Sequence, residues 1–138
     1  MSEPQAEEPS PTLLDRISGG VLVLAATALI AVLEAFYVAL RLGSVRIPIS
    51  VGIAVVCHPL LVWLMRAATG STLAMLATFG VWLAVIVPLS FRRAEADLVI
   101  TGDNWVSTVL MFGGSLLFVG SIGALLPARP RASASARR

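Results

Sequence analysis

Residues 17–40 read ISGGVLVLAATALIAVLEAFYVAL, with Glu34 as the one charged side chain in the run. A helix rising ~1.5 Å per residue needs about 20 apolar residues to cross ~30 Å of hydrocarbon, so this run is long enough to span a bilayer. Val21-Leu22-Val23-Leu24-Ala25-Ala26 shows no apolar/polar alternation, which excludes a transmembrane β-strand. Lipid offers no partner to unpaired backbone groups, so a helix is the remaining solution.

Working outward, three further segments have the same character: residues 47–65, 72–91 and 105–126. The chain holds ten Arg and eight acidic residues, and apart from Glu34 all of them lie outside the four segments. The composition agrees. Hydrophobic residues make up 57% and charged residues 13%, against about 45–50% and 25% in soluble domains. The expectation is an all-α membrane protein: four transmembrane helices in an antiparallel up-down bundle over residues 17–126. Residues 1–16 form a disordered or interfacial leader, and residues 127–138 form a disordered basic tail. Glu3, Glu7, Glu8 and Asp15 outnumber Arg16 in the leader, unlike the positive start of a secretory signal, so the first helix is expected to be retained.

The connections, residues 41–46, 66–71 and 92–104, are short and contain helix punctuation. Gly43 can end helix one, Pro48 suits the first turn of helix two, and Gly70 can end helix two, with Ser71 or Thr72 capping the next. Arg counts near the helix ends set the orientation. Arg16, Arg66, Arg129, Arg131, Arg137 and Arg138 share one side, and Arg41, Arg46, Arg92 and Arg93 the other. The excess places both termini in the cytoplasm of a plasma (inner) membrane protein. Arg41, Arg46, Arg66, Arg92, Arg93 and Trp105 are read as interface anchors.

Chemistry-bearing residues are few. Glu34 is ionisable inside a span, which points to a proton- or cation-sensing site or to a carboxylate that reaches the interface or Arg46. His58, followed by Pro59 in mid-helix, is either a packing histidine or a proton site. In an antiparallel hairpin Glu34 falls level with Ile53. His58 then lies about 7–8 Å deeper, and the two are not expected to pair. Cys57 cannot form an intrachain disulfide. No phosphate-loop, metalloprotease or triad motif is present and no basic face forms, so no cofactor, metal, catalytic residue or nucleic-acid partner is assigned. Gly113, Gly120 and Ala124 lie on one stripe of the last helix, and Ala28, Ala31, Ala35 and Ala39 form another on the first. Such stripes let helices approach closely, either within the chain or against a partner.

Arg41-Leu42-Gly43, the hairpin with Pro59, and Arg92-Arg93-Ala94-Glu95-Ala96-Asp97 before Gly102-Asp103 and Gly113-Gly114 resemble a family of small four-helix membrane proteins of actinobacteria. The resemblance covers roughly residues 33–127. It implies a plasma-membrane location and carries no assigned activity. The function expected from the residues is a non-enzymatic accessory or assembly subunit of a larger membrane complex, in contact with a membrane-protein partner or with further copies of the chain. The alternative is a small proton- or ion-coupled transporter or channel using Glu34 and His58. A cytoplasmic reporter fused after Arg138 is expected to be active and a periplasmic one silent. The opposite pattern would sink the orientation.

Overall fold

Helix boundaries follow from the residues that can close helix ends. The computed structural model describes residues 12–38, 40–42, 45–90 and 105–126. Thr12 and Asp15 build a reciprocal cap. The Thr12 N–H and hydroxyl both donate to Asp15 Oδ2, at 2.9 and 2.7 Å, and the Asp15 N–H donates back to Thr12 Oγ1 at 3.3 Å. Helix α1 therefore spans Leu13–Val38. It starts four residues before the apolar run, and residues 13–16 form its first turn rather than part of a leader. An acidic residue suits a first turn because it meets the unpaired N–H groups there, so a boundary drawn on apolarity alone falls too late.

The chain then turns through a short hairpin in place of a plain link. Strands β1 (Arg41–Leu42) and β2 (Val45–Arg46) pair with Arg41 opposite Arg46, and the Ile47 N–H reaches the Leu40 carbonyl at 3.4 Å. Helix α2, Ile49–Thr69, follows Pro48 and runs unbroken through Pro59. It ends at Gly70, whose φ of 67° is the left-handed conformation that glycine adopts without strain, and whose N–H closes on the Arg66 carbonyl at 2.8 Å. Arg66 thus sits in the last turn of α2, where a cation is favoured, and not in a link. Ser71 caps α3, Thr72–Ser90, by accepting from the Ala74 N–H at 3.4 Å. Helix α4 spans Trp105–Leu125, with the Trp105 ring about half exposed at its start. Arg92, Arg93 and the rest of their link lie outside the described residues, as do residues 1–11 and the basic tail.

All four helices are long and apolar enough to cross a membrane. Their buried positions recur every three or four residues: Met75, Thr78, Trp82 and Ile86 on α3, and Leu110, Gly114, Phe118 and Ile122 on α4. Helix α2 packs against all three of the others, and α1 also packs on α3. The opposite faces are apolar as well. Leu22, Leu29, Phe36, Leu73, Phe112 and Leu116 are all mostly exposed. Helices hydrophobic all round need an apolar surrounding.

One close approach is set by glycine. A Cβ on Gly19 would stand 3.1 Å from Ala68 Cβ, and one on Gly20 would stand 3.1 Å from Thr69 Cγ2 and 3.9 Å from Met65 Sδ. Gly20→Val is therefore expected to push α1 off the end of α2 and to cost about 1–3 kcal/mol. The loss is read as a lower melting temperature in mild detergent. Gly80→Val, where nothing lies within 4 Å of the added Cβ, is expected to stay within about 0.5 kcal/mol of the parent. Equal melting of the two variants would contradict the contact.

Candidate functional site

Glu34, His58 and Trp82 are wholly buried, one each on α1, α2 and α3. The Trp82 indole N–H donates to Glu34 Oε2 at 2.7 Å. His58 Nε2 lies 3.0 Å from Glu34 Oε1, and His58 Nδ1 lies 3.2 Å from the Gly114 carbonyl of α4. Each helix thus supplies one polar group to a single cluster. The Nε2–Oε1 approach has ion-pair distance without hydrogen-bond alignment, and neither atom has a hydrogen-bond partner among the described residues.

The expectation that Glu34 and His58 stand apart is overturned, and of the alternatives for Glu34 the wholly buried side chain does not fit a carboxylate that reaches the interface; the Arg46 side chain lies outside the described residues. The levels of the two backbones were not the decisive quantity. A helical side chain tilts toward its own N-terminus. From Glu34 that tilt leads toward Ile30, and from His58 toward Ala54. On two helices whose contacts run from Leu40–Ile47 at one end to Gly20–Thr69 at the other, these tilts converge.

Aromatic rings enclose the imidazole. Phe118 stacks on His58 with centroids 4.1 Å apart and planes 25° apart, and Trp82 meets it edge-on at 5.2 Å. Phe79 extends the layer against both Trp82 and Phe118. Gly114 makes room for the assembly. A Cβ there would lie 2.9 Å from Trp82 Cζ2 and 3.1 Å from His58 Cε1, so the backbone of α4 can bring its carbonyl to the imidazole only where no side chain intervenes.

A carbonyl only accepts, so the tautomer that satisfies Gly114 carries its hydrogen on Nδ1 and turns Nε2 toward Glu34 Oε1. The arrangement ties one polar group from each of the four helices together away from solvent. No substrate reaches it while the rings stay closed.

The other expected residues fall elsewhere. Gly113, Gly120 and Ala124 do not form the internal seam of α4, which runs instead through Leu110, Gly114, Phe118 and Ile122. Gly120 and Ala124 are exposed and Gly113 is half-buried; a Cβ on Gly120 or Gly123 would meet nothing within 4 Å. On helix one Ala31 and Ala35 are buried as part of the core. Cys57 is half-buried beside the core. Among the described residues no group of three His, Cys, Asp or Glu side chains could hold a metal ion.

Trp82, Gly114 and Phe118 are the members that sequence reading missed. Trp82 did carry a signal. A tryptophan in mid-span, away from the interfaces where such rings usually sit, needs an acceptor for its N–H, and Glu34 is the one carboxylate within the spans.

Glu34→Gln is expected to hold stability within about 1 kcal/mol, because the amide oxygen still accepts from Trp82 and the amide nitrogen donates to Nε2. Trp82→Phe leaves Oε2 without its donor and is expected to cost about 1–3 kcal/mol. Gly114→Ala forces two rings aside at a similar cost of about 1–3 kcal/mol. Thermal melts of the purified variants in detergent check this order, and a Gly114→Ala protein as stable as the parent would refute the packing account. Comparisons with protein-family models, with curated proteins and with solved structures find no match to this chain, so its function is argued from this cluster and from the outer faces of the helices.

Proposed function

We propose that the chain is a multi-pass plasma-membrane protein, four antiparallel spans with both termini in the cytoplasm, acting as a non-enzymatic accessory or assembly subunit of a larger membrane complex. The observation that carries this reading is the outer face of α4, where Gly120, Gly123 and Ala124 are exposed and a Cβ at either glycine would be unobstructed. Glycine weakens a helix by roughly 0.5–1 kcal/mol relative to alanine. Inside the chain Gly114 has a visible use for its missing side chain, whereas Gly120 and Gly123 have none. Close approach of another membrane helix is the use that small residues serve in lipid. The interior supports the same reading, since Glu34 and His58 face each other, Trp82 and a carbonyl rather than a polar cavity.

Transport of a proton or ion through Glu34 and His58 is the second reading. The approach of two ionisable side chains, Glu34 and His58, to 3.0 Å inside the bundle favours it. It requires the Phe118 and Trp82 rings to part and admit water.

Gly120→Leu separates the possibilities. The variant is expected to melt within a few degrees of the parent, because the added side chain meets no other part of the chain. Proteins recovered with it from mild detergent, or cross-linked copies of itself, are expected to fall by at least about tenfold, as for a buried contact worth ~1.4 kcal/mol or more. Unchanged recovery would remove the docking face. Loss of proton flux in vesicles for Glu34→Gln, with Gly120→Leu unaffected, would favour transport instead.

A further inference from the structure

At the end of the bundle where α1 begins, α2 finishes and α3 begins, a groove of about 400 Å³ opens between α1 and α3. Leu13, Ile17, Val21 and Leu24 line its α1 side, successive positions on one helical face. Met65 of α2 contributes to the lining, and the α3 side is built from Ala74 and Ala77, whose short side chains leave the space unfilled. The lining is apolar except at Arg16 and Thr69.

Depth and charge identify the occupant. From Arg16 to Leu24 the α1 wall descends about 12 Å at ~1.5 Å per residue, most of the ~15 Å that is half of a ~30 Å hydrocarbon core. The slot therefore runs within one leaflet, along the upper part of one acyl chain. Arg16 stands in the first turns of α1, at headgroup level. Its neighbour Asp15 is held by Thr12 in the helix cap, and among the described residues the one ion pair is Glu34–His58. The Thr69 hydroxyl donates to the Met65 carbonyl and accepts from the Ser71 N–H, so Arg16 is the charged donor of the groove. A long apolar slot with, at its mouth, a guanidinium that has no ion-pair partner among the described residues matches a lipid that carries a phosphate with net negative charge.

We infer that this groove binds one acyl chain of an anionic phospholipid, with its phosphate at Arg16. The inference rests on the membrane insertion proposed above. Carbonate extraction of membranes containing the full chain tests that footing: release into the soluble fraction overturns both proposals, and retention leaves the groove to be judged on lipid binding alone. The probe is native mass spectrometry of the protein from micelles holding equal phosphatidylglycerol and phosphatidylcholine of the same chain length. Bound phosphatidylglycerol is expected to exceed phosphatidylcholine by about fivefold, the factor expected from one Arg at a membrane surface. Arg16→Gln is expected to equalise the two lipids, and Ala77→Leu to reduce both. Val21 is mostly exposed, so Val21→Trp fills the groove from outside and serves where Ala77→Leu fails to fold. Arg66→Gln, a basic residue at the same end that does not line the groove, is expected to keep the preference. Persistence of the preference in Arg16→Gln, its loss in Arg66→Gln, or full lipid binding by Val21→Trp would each overturn the assignment.

Discussion

A carboxyl group surrounded by hydrocarbon has to find donors, and the way Glu34 finds them organises this protein. Its two oxygens turn to the Trp82 indole and the His58 imidazole, and the far nitrogen of that imidazole turns to the Gly114 carbonyl. Two of the links are directional hydrogen bonds, Trp82 to Glu34 at 2.7 Å and His58 with the Gly114 carbonyl at 3.2 Å, while Glu34 and His58 meet at ion-pair distance. They constrain how far α3 and α4 can slide or rotate, because displacing either helix would leave a further buried polar atom without a partner. Leu61, Val62, Met65, Met75 and Ile86 fill the remaining interior and set no register of their own. Apolar contacts tolerate sliding in a way that a 2.7 Å hydrogen bond does not.

The polarity of the molecule runs opposite to that of a water-soluble bundle. Among the described residues the buried polar ones are Thr27, Glu34, Ser50, His58, Thr78 and Ser107, and the outer surface carries Leu, Phe and Val. Thr27 satisfies itself by donating to the Val23 carbonyl of its own helix at 2.8 Å. Glu34 and His58 cannot do so, and they reach across helices. Glycines divide by the same logic. Gly19, Gly20 and Gly114 lie where a side chain would collide, whereas Gly120 and Gly123 lie where one would be unobstructed. Gly52 and Gly80 are unobstructed as well, but Gly120 and Gly123 adjoin exposed Ala124 on one helix, the face on which the proposed partner would dock.

Much of the helix pattern was legible because exclusion of charge from long apolar runs is a strong, local signal. The ends were less so. Thr12 and Asp15 extend α1 backwards through hydrogen bonds that no hydropathy measure registers; the stop of α2 at Gly70 was legible, because glycine accepts the left-handed conformation there. Glu34 and His58 were recognisable one by one, since an ionisable side chain in a span is conspicuous. Their contact was not, because it depends on the tilt of each Cα–Cβ bond and on where α1 and α2 touch, and counting residues from a turn captures neither. Which small residues of α4 pack within the chain was not legible for a related reason. Gly113 and Gly114 are neighbours in sequence but about 100° apart on the helix, and only the bulky residues around them determine which faces inward.

The placement of Glu34 and His58 on consecutive helices bears on how the chain is made. For a protein inserted into a membrane as proposed, an ionisable residue within an isolated span is penalised at the translocon. The first helix to emerge would bear Glu34 alone. Its counterpart arrives on the very next helix, and the link between them is short enough for the two to leave the translocation channel as a hairpin in which the side chains can meet. Trp82 and Gly114 follow in order of synthesis, each adding one bond to a pair already formed. The order of the four polar groups along the chain is therefore also a schedule for assembly, in which the most hazardous group is partnered first and the glycine that closes the cluster comes last.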